Sequence, residues 1–505
     1  MTEDKASLSR AWAYLEEEVY DKAAECYAQA LDEDPHCAEA YYHLGVTFAI
    51  EEDNQLALSC FTEAIEIAPD MAVAYRARAN LHRRMANYSD SLADFREAVR
   101  LEPEHAGVYT DRGILYAELG DLDRAIDDHT RALALDAGLR RAYVRRGIAY
   151  NTRRMYDLAI ADHEAAELLD ELDYENYICL GDAYYNKGSV EDAIDNYTRA
   201  IELNPACAEA FHKRGDCYDL RGERDLAIVD YDRAIEIDPG YAAAYRNRGI
   251  AYGALGDSVM AMTSFDKAIE LAPEDHRAYS CRGQAYFRLR KLDEAIHDYS
   301  EAVKLSPDTA RYYFDRAVAY GEKRLYALAV LDYDKTIALE PGGADPYFNR
   351  GGIYGAMGEY DKAIADFTRA ISLNPAAADA YCSRGRAYAE KGDAREAIRD
   401  LNRALELDSG MAYARYLLGA VCAEQGSLTE ALRHFTQALE LDPNDARSLY
   451  ARARAMDELN MAGAVEAYRK FLEFAGPDLE ELADHARERI GQMSDNDGRR
   501  LVSES

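Results

Sequence analysis

The sequence predicts an all-α chain built as a tandem array of helix pairs. Two observations carry that reading. Pro35, Pro69 and Pro103 stand 34 residues apart, Pro205, Pro239, Pro273, Pro307, Pro341 and Pro375 keep the same step, and Pro443 falls on it again. A glycine column runs in phase with them: Gly113, Gly147, Gly181, Gly215, Gly249, Gly283, Gly351, Gly385 and Gly419. A period of 20–50 residues marks a solenoid or a propeller, in which each module buries its apolar face only against its neighbours.

The columns give each module its parts. Small residues such as Gly147, Ala159 and Ala166 recur where two antiparallel helices approach closely. Large rings such as Tyr143, Tyr150 and Tyr197 fill the grooves that the small residues leave. Turn signals, Lys187-Gly188-Ser189 and Leu255-Gly256-Asp257, separate the two helices. Proline closes the second helix, which it cannot continue. The register starts near residue 4 and runs through thirteen repeats without insertion. A fourteenth follows in which Ala464 and Tyr468 stand one residue early, which places a deletion in its internal turn. Residues 4–477 are therefore read as fourteen repeats. Residues 478–493 read as an amphipathic capping helix with Leu479, Leu482, Ala486 and Ile490 inward, and 494–505 as a disordered polar tail.

The stretch Tyr177-Ile-Cys-Leu180-Gly181-Asp-Ala-Tyr184, followed by Ala193-x3-Tyr197 and Pro205, resembles the tetratricopeptide repeat family. The likeness spans nearly the whole chain. Departures are Ala137, Glu171 and Ser409 for the closing proline, His129 and His163 for the second-helix ring, and Ala11 for the first glycine. The resemblance implies a right-handed superhelix, with first helices on a concave side and second helices on a convex side.

Composition narrows the function. With 94 Asp plus Glu against 59 Lys plus Arg, the formal charge is −35, which repels nucleic acid and anionic lipid. No segment has the roughly 20 apolar residues of a membrane span, and no secretory leader is visible. The 9 cysteines form no CxxC pair, which fits reduced thiols in the cytoplasm. No HExxH, phosphate loop or GxSxG occurs, so no enzyme, cofactor or metal site is expected. His129 and His163 read as packed rings and Trp12 as an end contact.

One polar pair of columns reads as structural. Arg78, Arg112, Arg146, Arg214, Arg248, Arg282, Arg316, Arg350 and Arg384 sit on first helices. Asp94, Asp128, Asp162, Asp230, Asp298, Asp332, Asp366 and Asp400 sit on second helices. Arg146 and Asp162 are equally far from the turn at Arg154, so a hairpin brings them level. Where Leu44, Leu180 and Leu418 replace arginine, Cys60, Asn196 and His434 replace aspartate. An Arg–Asp ladder follows, within or between repeats.

Two clusters fall on the concave columns. The basic one holds Arg76, Asn80, Arg83 and Arg84, then Arg141 and Arg145, one helical turn apart. Some tetratricopeptide domains hold C-terminal carboxylates with a base and an Asn from one repeat, an Asn from the next and two bases from the third. Arg76, Asn80, Arg141 and Arg145 resemble that clamp, with Asp111 where Asn would stand. The aromatic cluster is Phe287, Phe314, Phe348, Tyr413, Tyr416 and Tyr450, a lining suited to apolar anchors of a peptide. The expected function is a non-catalytic scaffold or adaptor that binds extended or helical segments or tails of other proteins. Self-association into a homo-oligomer is the alternative.

Overall fold

The computed structural model describes residues 4–17, 19–169 and 173–503, and side chains over 8–15, 17, 19–169 and 173–493. Glu171 lies outside the described residues. The described elements are helical. Contacts divide the chain into two compact bodies, Met1–Leu255 and Gly256–Ser505.

In the first body, first helices begin at Ala38, Ala72, Ala106, Arg140, Tyr174, Ala208 and Ala242, each 34 residues after the last. In the second body they begin at His276, Ala310, Ala344, Ala378, Ala412 and Ala446 with the same step. The sequence period is thus the period of the helices themselves. A turn of two or three residues joins first to second helix in most repeats, and one of its residues is left-handed. Gly120 (φ 79°) and Gly188 (φ 90°) suit this, while Arg154 (φ 60°) and Arg324 (φ 60°) adopt it without glycine's freedom.

The glycine column sets the spacing inside each pair. A Cβ at Gly181 would stand 2.6 Å from the Tyr197 ring, and one at Gly419 2.6 Å from Phe435. Glycine lets the second-helix ring lie directly against the first-helix backbone, and alanine takes the same place opposite Phe95 at Ala79 and opposite Tyr333 at Ala317. Tyr197, Tyr231, Phe95 and Phe435 are accordingly among the most buried large side chains.

The ladder forms, and it does more than the sequence indicates. Arg146 donates through Nε and Nη2 to Asp162 Oδ2 and Oδ1, both at 2.7 Å. Arg112, Arg214, Arg282, Arg316, Arg350 and Arg384 hold their aspartates in the same fork, and Arg78 does so with Asp94. The remaining nitrogen, Nη1, reaches the second helix of the preceding repeat. It finds Thr130 Oγ1 at 3.0 Å from Arg146, Thr198 Oγ1 at 3.1 Å from Arg214 and Asp266 Oδ1 at 2.7 Å from Arg282. Arg248 has Ser264 sixteen residues on and pairs instead with Asp232 of the preceding repeat at 2.6 Å. Tyrosines three before and four after the arginine flank the cation: Tyr143 and Tyr150 each lie 5.7 Å from the Arg146 guanidinium. This repeated sandwich explains much of the 39 Tyr.

His129 and His163 occupy the ring column under Gly113 and Gly147, each in its own repeat. Both are fully buried, and neither ring nitrogen of either has a hydrogen-bond partner among the described residues. Burial pushes both imidazoles down to about 4, and for His129 Arg145, Arg146 and Arg141 add to the shift. They are neutral packing rings.

Three boundaries differ from the sequence reading. In repeat 14 the left-handed turn residue, Asn460, keeps its register, so the turn has lost nothing. The deletion falls just after it and unwinds the start of the second helix, which runs Ala464–Phe474, 11 residues, where the preceding repeat has 14 in Leu428–Leu441. The shift also puts Tyr468 sixteen residues after Arg452, which leaves Arg452 Nε buried without a partner. The capping helix packs on the last repeat through Leu482, Ala486 and Ile490, with Leu479 in the 3-10 turn just before it. It runs Glu480–Ser503, past the end expected at 493 and through most of the tail read as disordered. At the other end Trp12 stands edge-on to His43 at 4.8 Å and stays half exposed.

Two expectations follow. Arg146→Leu should destabilise repeats 4–6 by about 3 kcal/mol, because it strands the buried Asp162. The double variant with Asp162→Leu should lose clearly less, and chemical denaturation of the two side by side checks this. For His129 and His163 the folded pKa lies below the unfolded value of about 6.5. The unfolded state therefore binds more protons between these limits. Stability should fall as pH drops from about 6.5 to about 4, then level off, by up to roughly 3 kcal/mol per histidine. His129→Phe with His163→Phe should flatten that slope in thermal melts at pH 4.5 and 7.5.

Candidate functional site

Successive first helices lie side by side, so residues about 30–35 apart in sequence meet across repeats. The basic cluster is built this way from the first helices of repeats 3, 4 and 5: Ala72–Arg84, Ala106–Glu118 and Arg140–Thr152. Its centre is Asp111, only 3% exposed. Arg76 Nε donates to Asp111 Oδ2 at 2.7 Å and Asn80 Nδ2 to the same oxygen at 3.1 Å. Arg141 Nη1 donates to Oδ1 at 3.2 Å. The chain's own carboxylate therefore holds the groups that the clamp resemblance assigns to a ligand. Arg83 pairs with Glu118, and Arg84 lies 3.4 Å from the Ala49 carbonyl. Arg145 is exposed and has no acidic partner among the described residues. The structure thus brings Arg76, Asn80, Asp111 and Arg141 together and leaves Arg83, Arg84 and Arg145 around them.

The aromatic cluster belongs to the second body and is not one continuous stripe. Phe314, Phe348, Tyr416 and Tyr450 each lean on a ring of their own second helix, Tyr333, Phe367, Phe435 and Tyr468, at 5.8, 5.8, 6.0 and 6.1 Å. They are half-buried packing partners, and only one side of each ring faces out. Tyr413 stacks on Tyr416 at 6.1 Å and is exposed. Phe287 and Phe314 line a cavity of about 290 Å³ with Arg288, Arg311 and Asp315 at its polar edge. Asp315 takes a hydrogen bond from Arg311 Nε at 2.9 Å, while burial pushes its carboxyl above the usual range. Tyr416 and Tyr450 line a larger cavity of about 520 Å³ together with Leu479 and Leu482, and its charged lining is Arg447, Arg454, Glu424 and Glu458. Phe348 and Tyr413 line neither.

The sequence reading missed an acidic stretch on the first helices of repeats 6 and 7. Asp182 accepts from Tyr197 Oη at 2.7 Å and from Lys213 Nζ at 2.8 Å. Asp216 accepts from Tyr231 Oη and Asn247 Nδ2, both at 2.8 Å. Burial, then the neighbouring carboxylates, push the Tyr197 and Tyr231 hydroxyls far up, so both remain donors. The available signal was an acid directly after the column glycine, in Gly181-Asp182 and Gly215-Asp216.

Profiles described as tetratricopeptide repeat match residues 8–72, 76–139 and 382–446, 276–309, and 242–275. One described as TPR repeat matches 181–220, 215–256 and 351–392. The chain belongs to the tetratricopeptide repeat (TPR) family. As a TPR array it is a protein-interaction scaffold, of a family whose members are typically not catalysts. Among solved structures it is similar to the APC/C hetero-tetramer Cut9-Hcn1, at 17% identity over 90% of this chain and 97% of that one, with a TM-score of 0.44. It is also similar to YrrB, titled a TPR protein with an unusual peptide-binding site, at 29% identity over 36% and 94%, TM-score 0.32. MamA matches at 33% identity over 33% and 96%, TM-score 0.31. Scores this low carry no argument about this TPR chain. No curated protein matches it. None of its described helices is long and apolar enough to cross a membrane.

Asp111→Asn tests whether the internal carboxylate occupies the basic cluster. It should cost about 1–3 kcal/mol in the repeats around it. It should also make the melting temperature respond to a peptide ending in two acidic residues, to which the unaltered chain responds weakly. Differential scanning fluorimetry with and without that peptide reads both.

Proposed function

We propose that this TPR chain is a cytoplasmic adaptor that captures extended or helical segments of other proteins, tails among them, on its first-helix face. The principal anchor is the cavity between Tyr416, Tyr450 and the capping helix. The observation that carries this is its combination of size, lining and charge. At about 520 Å³ it falls in the range of ligand-sized clefts. Two half-buried tyrosines and three leucines offer an apolar seat, and Arg447 in the lining is exposed. The chemistry fits an aromatic or aliphatic side chain followed by an acidic residue. Tyrosines suit such a role because they bring large contact area at low entropic cost. The cavity beside Phe287 and Phe314 provides a second, smaller seat in the same body.

In the first body, Arg141 and Arg145 supply the basic edge for acidic tails, with Asp111 as an internal competitor. A partner gains there by adding contacts to exposed Arg145 rather than by replacing Asp111 alone. Charge then sets which segments are accepted, and the apolar seats set how tightly they stay.

Selection of a displayed random-peptide library on the full chain tests the reading. Enriched peptides should carry an apolar anchor next to an acid. Their affinity, measured by fluorescence anisotropy, should fall at least tenfold with Tyr450→Ala and several-fold with Arg447→Glu. Peptides that bind equally to both variants would refute the anchor. Arg141→Glu with Arg145→Glu should weaken acidic-tail peptides several-fold while circular dichroism stays unchanged. Sedimentation velocity over a hundredfold concentration range distinguishes this reading from self-association, which requires a mass that rises with concentration.

A further inference from the structure

Repeat 13 departs from three columns of the array at once. Where other first helices carry the ladder arginine and, four residues on, the tyrosine that flanks it, this repeat has Leu418 and Cys422. Where the second helix carries the ladder aspartate, it has His434. Glu430 stands one helical turn before His434 on the same helix, Leu428–Leu441, so the two share a face. Cys422 faces them from the antiparallel partner, Ala412–Glu424. Cys422 Sγ, a Glu430 carboxylate oxygen and one His434 ring nitrogen all lie within 4.8 Å of one another. Sequence reasoning passed over the set because it searched for ligands by spacing along the chain, whereas this set crosses a hairpin.

The histidine is the decisive member. It is 5% exposed, and its Nδ1 has no hydrogen-bond partner. Its Nε2 meets Arg433 Nη2 at 3.5 Å, too long for a firm bond, and the Gln437 amide lies beside the ring. A buried imidazole left so poorly satisfied costs stability. His129 and His163 also have unpartnered nitrogens, but they belong to no such group of thiol and carboxylate among the described residues. Gln437, three residues after His434, has an unpartnered Oε1 as well. An imidazole N–H given to that oxygen would fix the ring for ligation through its other nitrogen, as outer-shell carbonyls do at metal sites.

We propose that Cys422, Glu430 and His434 bind a divalent transition metal of the zinc class. One thiolate, one imidazole and one carboxylate would hold it, with a fourth position left to water or to a side chain of a bound partner. The donor set selects for this class: thiolate and imidazole favour zinc-like ions over calcium or magnesium, which take oxygen ligands. With metal–sulfur and metal–nitrogen bonds of about 2.3 and 2.0 Å, tetrahedral ligand atoms stand roughly 3.5 Å apart. The group therefore closes by about an ångström through side-chain rotation. Binding converts the Cys422 thiol to a thiolate, so one proton leaves for each ion taken up. Arg433 is the main opponent. It pairs with Glu430 at 3.3 Å and must swing out, and its 62% side-chain exposure makes that movement cheap. Arg415 is the other nearby cation, and against these two the thiolate and the carboxylate set two negative charges. The metal would thus join first to second helix at the place where every laddered repeat has its ion pair.

The test uses the full-length, reduced, metal-free chain. Co²⁺ titration should show one thiolate-to-metal charge-transfer signal per chain, saturating at micromolar metal, with one proton released. Zn²⁺ should displace Co²⁺ and raise the melting temperature by several degrees. Cys422→Ser should abolish the signal. Glu430→Gln, at an exposed position that leaves the fold intact, should weaken binding at least tenfold, and Arg433→Ala should tighten it several-fold. A signal that survives Cys422→Ser, an affinity indifferent to Glu430→Gln, or no stoichiometric uptake at micromolar metal would each overturn the assignment.

Discussion

The structure depends on one planar cation repeated along it. Each ladder guanidinium has three usable nitrogens in a rigid fork, and the array spends them on two different helices. In most of them two meet the aspartate of the same repeat and the third reaches back to the preceding repeat, as Arg146 does with Asp162 and Thr130. Lysine, a point charge on a flexible stem, could not bind in this geometry. The tyrosines follow from the same requirement, since rings on both sides shield the cation and fix its plane. Close approach of the helices goes with it, as where Gly215 meets Tyr231 beside the Arg214–Asp230 fork and Gly351 meets Phe367 beside the Arg350–Asp366 fork. The abundance of tyrosine owes much to this one arrangement.

Most of this was legible in the sequence because a repeat protein carries its own comparison. Arginine and aspartate vanish together at Leu44, Leu180 and Leu418, which makes pairing readable from a single chain. The contact to the preceding repeat was not readable. Its column alternates among Thr130, Thr198, Asp266 and Ser300, which share an oxygen and little else. The shifted second helix of repeat 14 was half readable: the early Ala464 and Tyr468 showed a missing residue, but only the backbone showed that the turn survives and the helix start gives way. The end of the capping helix was misjudged because residues 494–503 are polar, and polarity alone does not stop a helix.

The groove was less legible than the scaffold, for a geometric reason. Its contacts join residues some 30 to 35 apart, and whether two such side chains touch depends on their direction across adjacent helices. Asp111 read equally well as a repulsive intruder or as an organiser of the arginines. The distances to Arg76, Asn80 and Arg141 show that it organises them. The aromatic column read as one surface, yet each ring is also a packing partner of its own hairpin, and only some of them border a cavity. The cavity linings and the core share the same side chains here, so the linings inherit the rigidity of the fold.

The backward reach of the arginines also grades the joints of the array. A tandem stack has no global core, so its resistance to opening is set joint by joint. Leu44, Leu180 and Leu418 supply no guanidinium, and at Leu180 the joint is made instead by Tyr177 and Tyr184, which donate to Glu167 and Glu164 of the preceding repeat. Arg112 keeps its own aspartate, but sixteen residues before it stands Arg96, which offers no acceptor. Fraying and proteolytic nicking therefore have preferred places to begin, written into the chain as missing cations and missing oxygens.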